Sequence, residues 1–572
     1  MMATLEEEAK QHYNPAGVKP NPESQSGYYC PRTGVYRSPH RVCHQIPALD
    51  AASFVLSQFP PPHLAEIKTA LVDSATGRRL TFSDLRRSAL ALAATLRHGL
   101  GIQKGDVVLL LSPNSILYPA IVLGVLSAGA VVTTANPLNT AAEVAKQARD
   151  SGAKLAIAAP EEAHKTAAAG VPTILTTRSA PDESGVGGPV SVEELMEGGD
   201  PEAMPSLEGV AQSDVAALLY SSGTTGASKG VVLTHANLIA MVALVKWTAE
   251  ASGAVEDVYL GFIPMFHVYG LGFFSLGLPA AGATTVVMPR FDFHAMLEAV
   301  EKHGVSNIPA VPSVVLAMAK AGNGGGRDLS ALRRVGTGAA PLGAEVGREF
   351  RRRYPWVELR EGYGLTESAG AATFSVAAEE AKRRPGAVGQ LLPGFEGRVV
   401  EVGTGRGVEP GEVGELWLRG PTVMPGYLGN DEATADALVG DGWLRTGDLV
   451  YFDQDGYLYV VDRIKELIKV KGFQVAPAEL EALLLTHPQI LDAAVIPLQD
   501  EEAGQVPISY VVRSPNSKLT SEEVIQFVAT QVAPYKKVKR VAFIDAIPRS
   551  TAGKILRKQL VAQNHRAISS KM

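Results

Sequence analysis

From about residue 80 onward, short continuous apolar runs alternate with longer amphipathic ones. Thr81-Phe82-Ser83-Asp84 reads as a helix entry, with Ser83 or Asp84 capping the run Leu85–Leu96. Val107–Leu111 is apolar at every position, as expected of a strand covered on both faces, Ile116–Ala128 predicts a helix, and Ala130–Thr133 another strand. The pattern resumes at Lys154–Ala158, Val171–Thr176 and Val215–Tyr220. Strands and helices in alternation predict a parallel sheet with helices on its faces. The segment 177–212, acidic and rich in Gly, Pro and Ser, reads as a loop, and Gly322–Gly326 as a second flexible connection. Residues 1–45 show no periodicity and predict an arm along the surface.

Two stretches, Val107–Ala142 and Val258–Pro289, contain no Asp, Glu, Lys or Arg. Prolines and glycines interrupt both, whereas a membrane-spanning helix needs about 20 largely apolar residues in succession. They are therefore read as buried strand–helix units, and no membrane span is expected. A chain of 572 residues exceeds what one core usually supports. Its 46% apolar and 20% charged residues are ordinary for a globular protein. The net charge of −6 gives no reason to expect nucleic acid as a partner. Charge is distributed unevenly. Residues 463–572 carry 16 Lys+Arg against 10 Asp+Glu, and the preceding 462 carry 37 against 49, so a small basic unit follows a large acidic one. The two cysteines, Cys30 and Cys43, make no disulfide framework, and no Cys/His cluster has zinc-ligand spacing. The terminus MMATLEEEAK lacks the basic-then-apolar order of a secretory signal.

The densest chemical signal is Tyr220-Ser221-Ser222-Gly223-Thr224-Thr225-Gly226-Ala227-Ser228-Lys229-Gly230, which follows an apolar strand. Glycines let backbone N–H groups turn inward as an anion nest, hydroxyls add donors, and Lys229 supplies fixed positive charge. A polyphosphate requires that combination. The spacing is not that of a P-loop, and a run of this composition taken alone is more often an ordinary surface loop.

Further motifs follow in order: Gly362-Tyr363-Gly364-Leu365-Thr366-Glu367, Gly414–Gly420, Trp443–Asp448, Val461–Phe473 and Pro548–Lys554. Together with the loop they make the chain, from about 30 to 565, resemble the adenylate-forming acyl-CoA synthetase superfamily, in its plant coumarate–CoA ligase-like branch. The resemblance implies an α/β fold. A large N-terminal domain (46–461) would comprise doubly wound α/β subdomains and a small barrel-like part. After a hinge at 462–465, a small mobile α+β domain (466–569) would follow. It also implies a two-step reaction, in which a carboxylic acid attacks the α-phosphorus of ATP to give an acyl-adenylate and the thiol of coenzyme A then displaces AMP.

Residue by residue, the resemblance implies that Ser221, Ser222, Gly223, Thr224, Thr225, Gly226 and Lys229 cradle pyrophosphate. Thr366 would contact the α-phosphate and Glu367 would hold Mg2+, a hard cation that prefers oxygen ligands. Tyr363 would stack on adenine, Asp448 would accept from the ribose hydroxyls, and Arg463 would bind the same nucleotide. Gly336, Gly338, Ala339, Tyr269, Phe273, Glu361, Gly362, Phe374 and Gln474 would line the acid or the base. His267 would orient the carboxylate, although a lone histidine in an apolar run is usually structural. Lys554 would bridge carboxylate and α-phosphate during adenylation, while Lys469, Lys471 and Gly472 would be presented during thioester formation, with Lys465 as the hinge residue. Arg290 would meet a coenzyme A phosphate. The basic residues Lys536, Lys537, Lys539 and Arg540 fit a coenzyme A surface or a solvated face.

The chain departs from the coumarate ligases. It has Gly336 where they commonly carry lysine, and Ser368-Ala369-Gly370-Ala371-Ala372 where they have Ala-Gly-Pro-Val-Leu. The smaller side chains predict a wider pocket, suited to medium- or long-chain fatty acids or cyclopentenone-type oxylipin acids as well as phenylpropanoids. Strict 4-coumarate ligation, a luciferase-like adenylating activity and a catalytically silent acyl or nucleotide sensor are the alternatives. The ending Ser570-Lys571-Met572 resembles the Ser-Lys-Leu peroxisomal address, which implies an import receptor as partner; a cytoplasmic location is the alternative.

Overall fold

The structure is a computed structural model that describes residues 28–40, 47–178, 190–203, 209–221, 228–321, 326–470, 473–500, 503–550 and 553–569. Three sheets organise it. In the first, the spatial order is Gly426–Tyr427, Lys229–Thr234, Val215–Ser221, Val131–Ala135, Val107–Leu111, Ala153–Ala158, Thr173–Leu175. Its five strands from Val215–Ser221 to Thr173–Leu175 run parallel. The charge-free stretch Val107–Ala142 builds the centre of this unit. Every residue of helix Tyr118–Ser127 and of strand Val131–Ala135 is buried, which leaves no position where a charge could reach water. No helix among the described residues is long and apolar enough to cross a membrane.

The second sheet has sixteen strands. One half is parallel, in the order Thr69–Asp73, Thr284–Val287, Val258–Gly261, Asn307–Ala310, Arg334–Thr337, Glu358–Leu365. The other half is antiparallel and corresponds to the barrel-like part. Strand Glu358–Leu365 belongs to both, pairing parallel with Arg334–Thr337 through Glu361 and antiparallel with Gly370–Phe374 from Gly362 onward. The third sheet, Phe473–Val475, Ile468–Val470, Gly504–Arg513 and Ile490–Asp500 with Arg540–Phe543 alongside, carries its own apolar cluster. One turn, Ile464–Glu466, separates strand Tyr457–Arg463 of the large sheet from Ile468–Val470 of the small one.

Several expectations need correction. The first long helix is Phe82–Ala94, and its cap is Thr81, with Asp84 closing a capping box from the third helical position. Thr81 wins because its hydroxyl reaches the Asp84 N–H while the Asp84 carboxylate returns to the Thr81 N–H, satisfying two orphan donors. The loop 177–212 contains a helix, Val192–Gly198, started by a second box between Ser191 and Glu194. Within that segment 179–189 and 204–208 lie outside the described residues, as do 322–325. The N-terminal arm is no mere surface strap where it is described. Strand Val35–Arg37 pairs with Glu396–Val400, and Tyr36 is buried with its ring stacked on Phe452 at 4.1 Å.

Candidate active site

In the parallel half-sheet, strand Val258–Gly261 lies between Thr284–Val287, the next strand in sequence, and Asn307–Ala310, the one after. The connections leave in opposite directions, which opens a crevice at the C-terminal ends. The segment Pro264–His267, residues Val311, Gly338 and Ala339, and the end of strand Glu358–Leu365 all gather there.

The first sheet holds the His267 segment, which leaves the second after Val258–Gly261. Asn114, after strand Val107–Leu111, donates from Nδ2 to the Ile263 carbonyl (3.0 Å), and its Oδ1 accepts the Met265 N–H (2.8 Å). Thr134 donates to the Phe266 carbonyl (2.7 Å). The His267 ring lies against Phe266, and burial lowers its pKa to about 4, so it is neutral near pH 7 and can orient a carboxylate without carrying a proton to it. Asn114 was not found from sequence. A polar residue inside a charge-free run, Pro113-Asn114-Ser115, was the available signal.

On the antiparallel side, Asp448 and Arg463 are register partners on adjacent strands. Arg463 Nε lies 3.2 Å from one Asp448 carboxylate oxygen, and the Tyr363 hydroxyl donates to the other at 2.7 Å. Burial pushes the Asp448 carboxyl upward, while Arg463 and the Tyr363 hydroxyl act against that shift. Each carboxylate oxygen keeps a second lone pair for a further donor.

A third group surrounds Glu367. Tyr427 donates its hydroxyl to Glu367 Oε1 (3.0 Å), and Lys229 Nζ sits 4.8 Å from the centre of the same ring. Tyr427 reaches this place because Gly426–Tyr427 pairs with Val231–Val232, continuing the first sheet. It too escaped the sequence reading. Ser221 and Lys229 face each other across a hairpin, while Ser222, Gly223, Thr224, Thr225 and Gly226 lie outside the described residues. Thr366 begins a tight turn in which Ala369 donates its N–H to the Thr366 carbonyl (3.0 Å) and adopts φ 48°. Ala339 has φ 68°. Non-glycine residues held in the left-handed region concentrate at functional sites. No group of three or more His, Cys, Asp or Glu that could hold a metal occurs among the described residues. Magnesium does not require one, since it is commonly held by one or two carboxylates and the phosphates of its substrate. Glu367, which shares Tyr427 as a neighbour with Lys229, fits that requirement.

The lysine sets of the small unit are placed differently. Lys554 Nζ lies 3.6 Å from Glu466 Oε1, facing the Asp448–Arg463 group, and burial together with Arg463 lowers its pKa. Arg557 fixes Glu466 from the other side (2.5 Å). Lys469 instead is exposed on strand Ile468–Val470, and Lys465 is exposed in the turn. Lys471, Gly472 and the side chain of Gln474 lie outside the described residues. Arg290 is exposed beside strand Thr284–Val287. Of the basic run, Lys536 is paired with Glu479 (2.7 Å) and Arg540 with Asn564.

Tyr269 and Phe273 meet edge to face at 5.9 Å, on a helix with no residue larger than glycine at 272. A Cβ there would lie 2.3 Å from Met241 Sδ. A Cβ on Gly336 would meet nothing within 4 Å. A cavity of about 40 Å³ lies between helix His235–Ala251 and the segment after Glu367, lined by Met241, Val245, Ala369 and Ala371 among others. Gly362 and Phe374 are register partners. Glu361 is buried where strand Glu358–Leu365 changes partners, and burial raises its carboxyl to about 7.

Residues 65–428 match the AMP-binding enzyme family, and residues 479–554 match the AMP-binding enzyme C-terminal domain. Over 545 residues the chain is 46% identical to peroxisomal OPC-8:0-CoA ligase 1 of Arabidopsis thaliana, covering 94% of this chain and 96% of that protein. It is equally 46% identical, over 546 residues, to 4-coumarate–CoA ligase-like 4 of Oryza sativa subsp. japonica, covering 94% and 97%. ATP-bound MatB from Rhodopseudomonas palustris has the same fold, with a TM-score of 0.78 at 27% identity over 90% of this chain and 98% of that one. The chain therefore belongs to the AMP-binding enzymes, in the plant 4-coumarate–CoA ligase-like branch.

Proposed function

We propose that this AMP-forming acid–CoA ligase activates medium- or long-chain fatty acids or cyclopentenone-type oxylipin acids. A carboxylate resists attack because the incoming nucleophile adds charge to an anion. Joining it to AMP makes phosphate chemistry drive the step: the acid oxygen forms a bond to the α-phosphorus, the bond to pyrophosphate breaks, and a mixed anhydride results. Coenzyme A sulfur then attacks the acyl carbon, AMP leaves, and the thiol proton is lost to solvent.

Each residue has a part. Lys554 bridges the carboxylate and α-phosphate, where its charge favours the crowded pentavalent arrangement over the ground state. His267, neutral, holds the carboxylate in line. Thr366 contacts the α-phosphate, and Lys229 with the loop from Ser221 holds pyrophosphate. Glu367 would hold Mg2+, which offsets charge between phosphates when bound. Asp448 and Arg463 keep the ribose, and Tyr363 packs by the base. Rotation about 462–465, with Lys465 as pivot, withdraws Lys554 and presents Lys469, Lys471 and Gly472 for thioester formation, with Arg290 at the coenzyme A nucleotide. The observation that supports this reading is the Lys554–Glu466 ion pair (3.6 Å) in the turn that follows Arg463, which itself pairs with Asp448.

Support for the acid class comes from the open space at Gly336, the small side chains of Ala369 and Ala371, and the relative named for OPC-8:0. A panel of acids, read by AMP release with ATP and coenzyme A, tests it. Decanoate, longer acids or cyclopentenone acids should give the highest kcat/KM, and 4-coumarate at the top would reject it. The ending Ser570-Lys571-Met572 lies outside the described residues. Together with the name of the peroxisomal relative it supports peroxisomal delivery through an import receptor. A fluorescent reporter carrying the last ten residues should become punctate, and a diffuse cytosolic signal would remove the assignment.

A further inference from the structure

Helix Pro312–Lys320 leaves the switch-point strand Asn307–Ala310 and meets the small unit at both of its ends. At its start, Val311 lies under the lysine loop. Gly553 has φ +78°, and a Cβ there would sit 2.9 Å from Val311 Cγ2, so backbone of the loop rests directly on that side chain. At its end, about 13 Å away by helix rise, Lys320 Nζ donates to the carbonyls of Ile490 (3.0 Å) and Leu491 (2.6 Å). The next residue, Asp492, accepts from Arg549 (2.8 Å), and Arg549 donates to the Gly553 carbonyl (3.0 Å). Two sets of hydrogen bonds, joined by the Leu491–Asp492 peptide bond, therefore link Lys320 to the residue preceding Lys554. Helix Pro477–Leu485 packs nearby against Ala344–Arg353, but makes no comparable link to the lysine loop among the described contacts.

We infer that Lys320 is a positioning residue that latches the small domain in the adenylating pose, with helix Pro312–Lys320 as the docking platform and the Asp492–Arg549 pair carrying the register to Lys554. The inference rests on the alternating-pose reading above. In the thioester-forming pose the carbonyls of Ile490 and Leu491 leave Lys320, so the latch favours one half-reaction and not the other.

The test uses the full-length chain with decanoate, measuring acid-dependent exchange of labelled pyrophosphate into ATP and, separately, conversion of synthetic decanoyl-AMP with coenzyme A. Two charge-assisted hydrogen bonds at a partly exposed site correspond to a loss of about fivefold to tenfold. Lys320→Ala should lower exchange by that factor and leave thioester formation unchanged or faster. Lys320→Arg, which keeps charge and donors, should recover most of the exchange. An equal loss in both half-reactions, no loss in exchange, or no recovery with arginine overturns the latch. Lys554→Ala run in parallel separates the two ideas. If it loses both half-reactions alike, the alternating reading fails. If it loses adenylation alone while Lys320→Ala changes nothing, the latch alone fails.

Discussion

Two desolvated titratable groups at the candidate site, buried Glu361 and half-buried His267, give opposite pH dependences. His267 has a folded pKa of about 4 against an unfolded value near 6.5. Below the unfolded value the unfolded chain binds more protons, so stability falls as the pH drops from about 6.5 towards 4, by up to about 3 kcal/mol. Glu361 has a folded pKa of about 7 against 4.5 unfolded, so its contribution is complete below 4.5 and is lost as pH rises through 7. Thermal midpoints measured across pH 4–8 should show a flatter acid limb in His267→Gln and a flatter limb between 4.5 and 7 in Glu361→Gln. Unchanged limbs would mean that neither group is held as described. Tyr427 offers a second check. Tyr427→Phe keeps the ring beneath Lys229 and removes only the hydrogen bond to Glu367. A charge-assisted bond of this kind implies about a tenfold fall in kcat/KM for ATP and a higher magnesium requirement. A magnesium titration indistinguishable from wild type would rule out that role. Neither Tyr427 nor Asn114 could be read from the chain, because each acts through a partner more than 50 residues away that only folding supplies.

Among the elements, the continuous apolar runs were the most legible. Val107–Leu111 was placed with its observed bounds, because burial on both faces leaves a run that nothing else explains. Boundaries governed by a single side chain were less so. Thr81, Ser83 and Asp84 are all competent caps, and only the return bond from Asp84 decides among them. The arm strands Tyr29–Cys30 and Val35–Arg37 were missed for another reason: they are two and three residues long, too short for a period, and exist because strand Glu396–Val400 offers an edge. The segment after Glu367 carries a prediction at this scale. Replacing Ala371 by Leu adds three carbons at an exposed position on the edge of the cavity that Met241 and Val245 also line. At about 1 kcal/mol per methylene of displaced chain, kcat/KM for dodecanoate should fall at least about tenfold while that for 4-coumarate changes little. A parallel fall for both acids would place the acyl tail elsewhere.

Over the whole molecule, the charge division of the sequence coincides with a structural one. The basic last 110 residues form a sheet with its own apolar cluster, joined to the acidic remainder through the single turn Ile464–Glu466. Part of the candidate site was legible through ordered motifs, because the fold brings some of them together: the motifs holding Asp448 and Arg463 pair as antiparallel strands, and Lys554 reaches Glu466. What the chain could not disclose was which lysine faces the Asp448–Arg463 pair in the resting pose. That depends on the docked pose, in which Lys554 meets Glu466 beside Asp448 and Lys469 faces solvent. The most direct measurement is therefore a mirrored pair of half-reactions in Lys554→Ala and Lys469→Ala. Lys554→Ala should lose pyrophosphate exchange by about a hundredfold or more yet convert supplied acyl-adenylate to thioester within about threefold of wild type, and Lys469→Ala should do the reverse. Equal losses in both half-reactions for either variant would contradict a single pocket served in turn by two lysines.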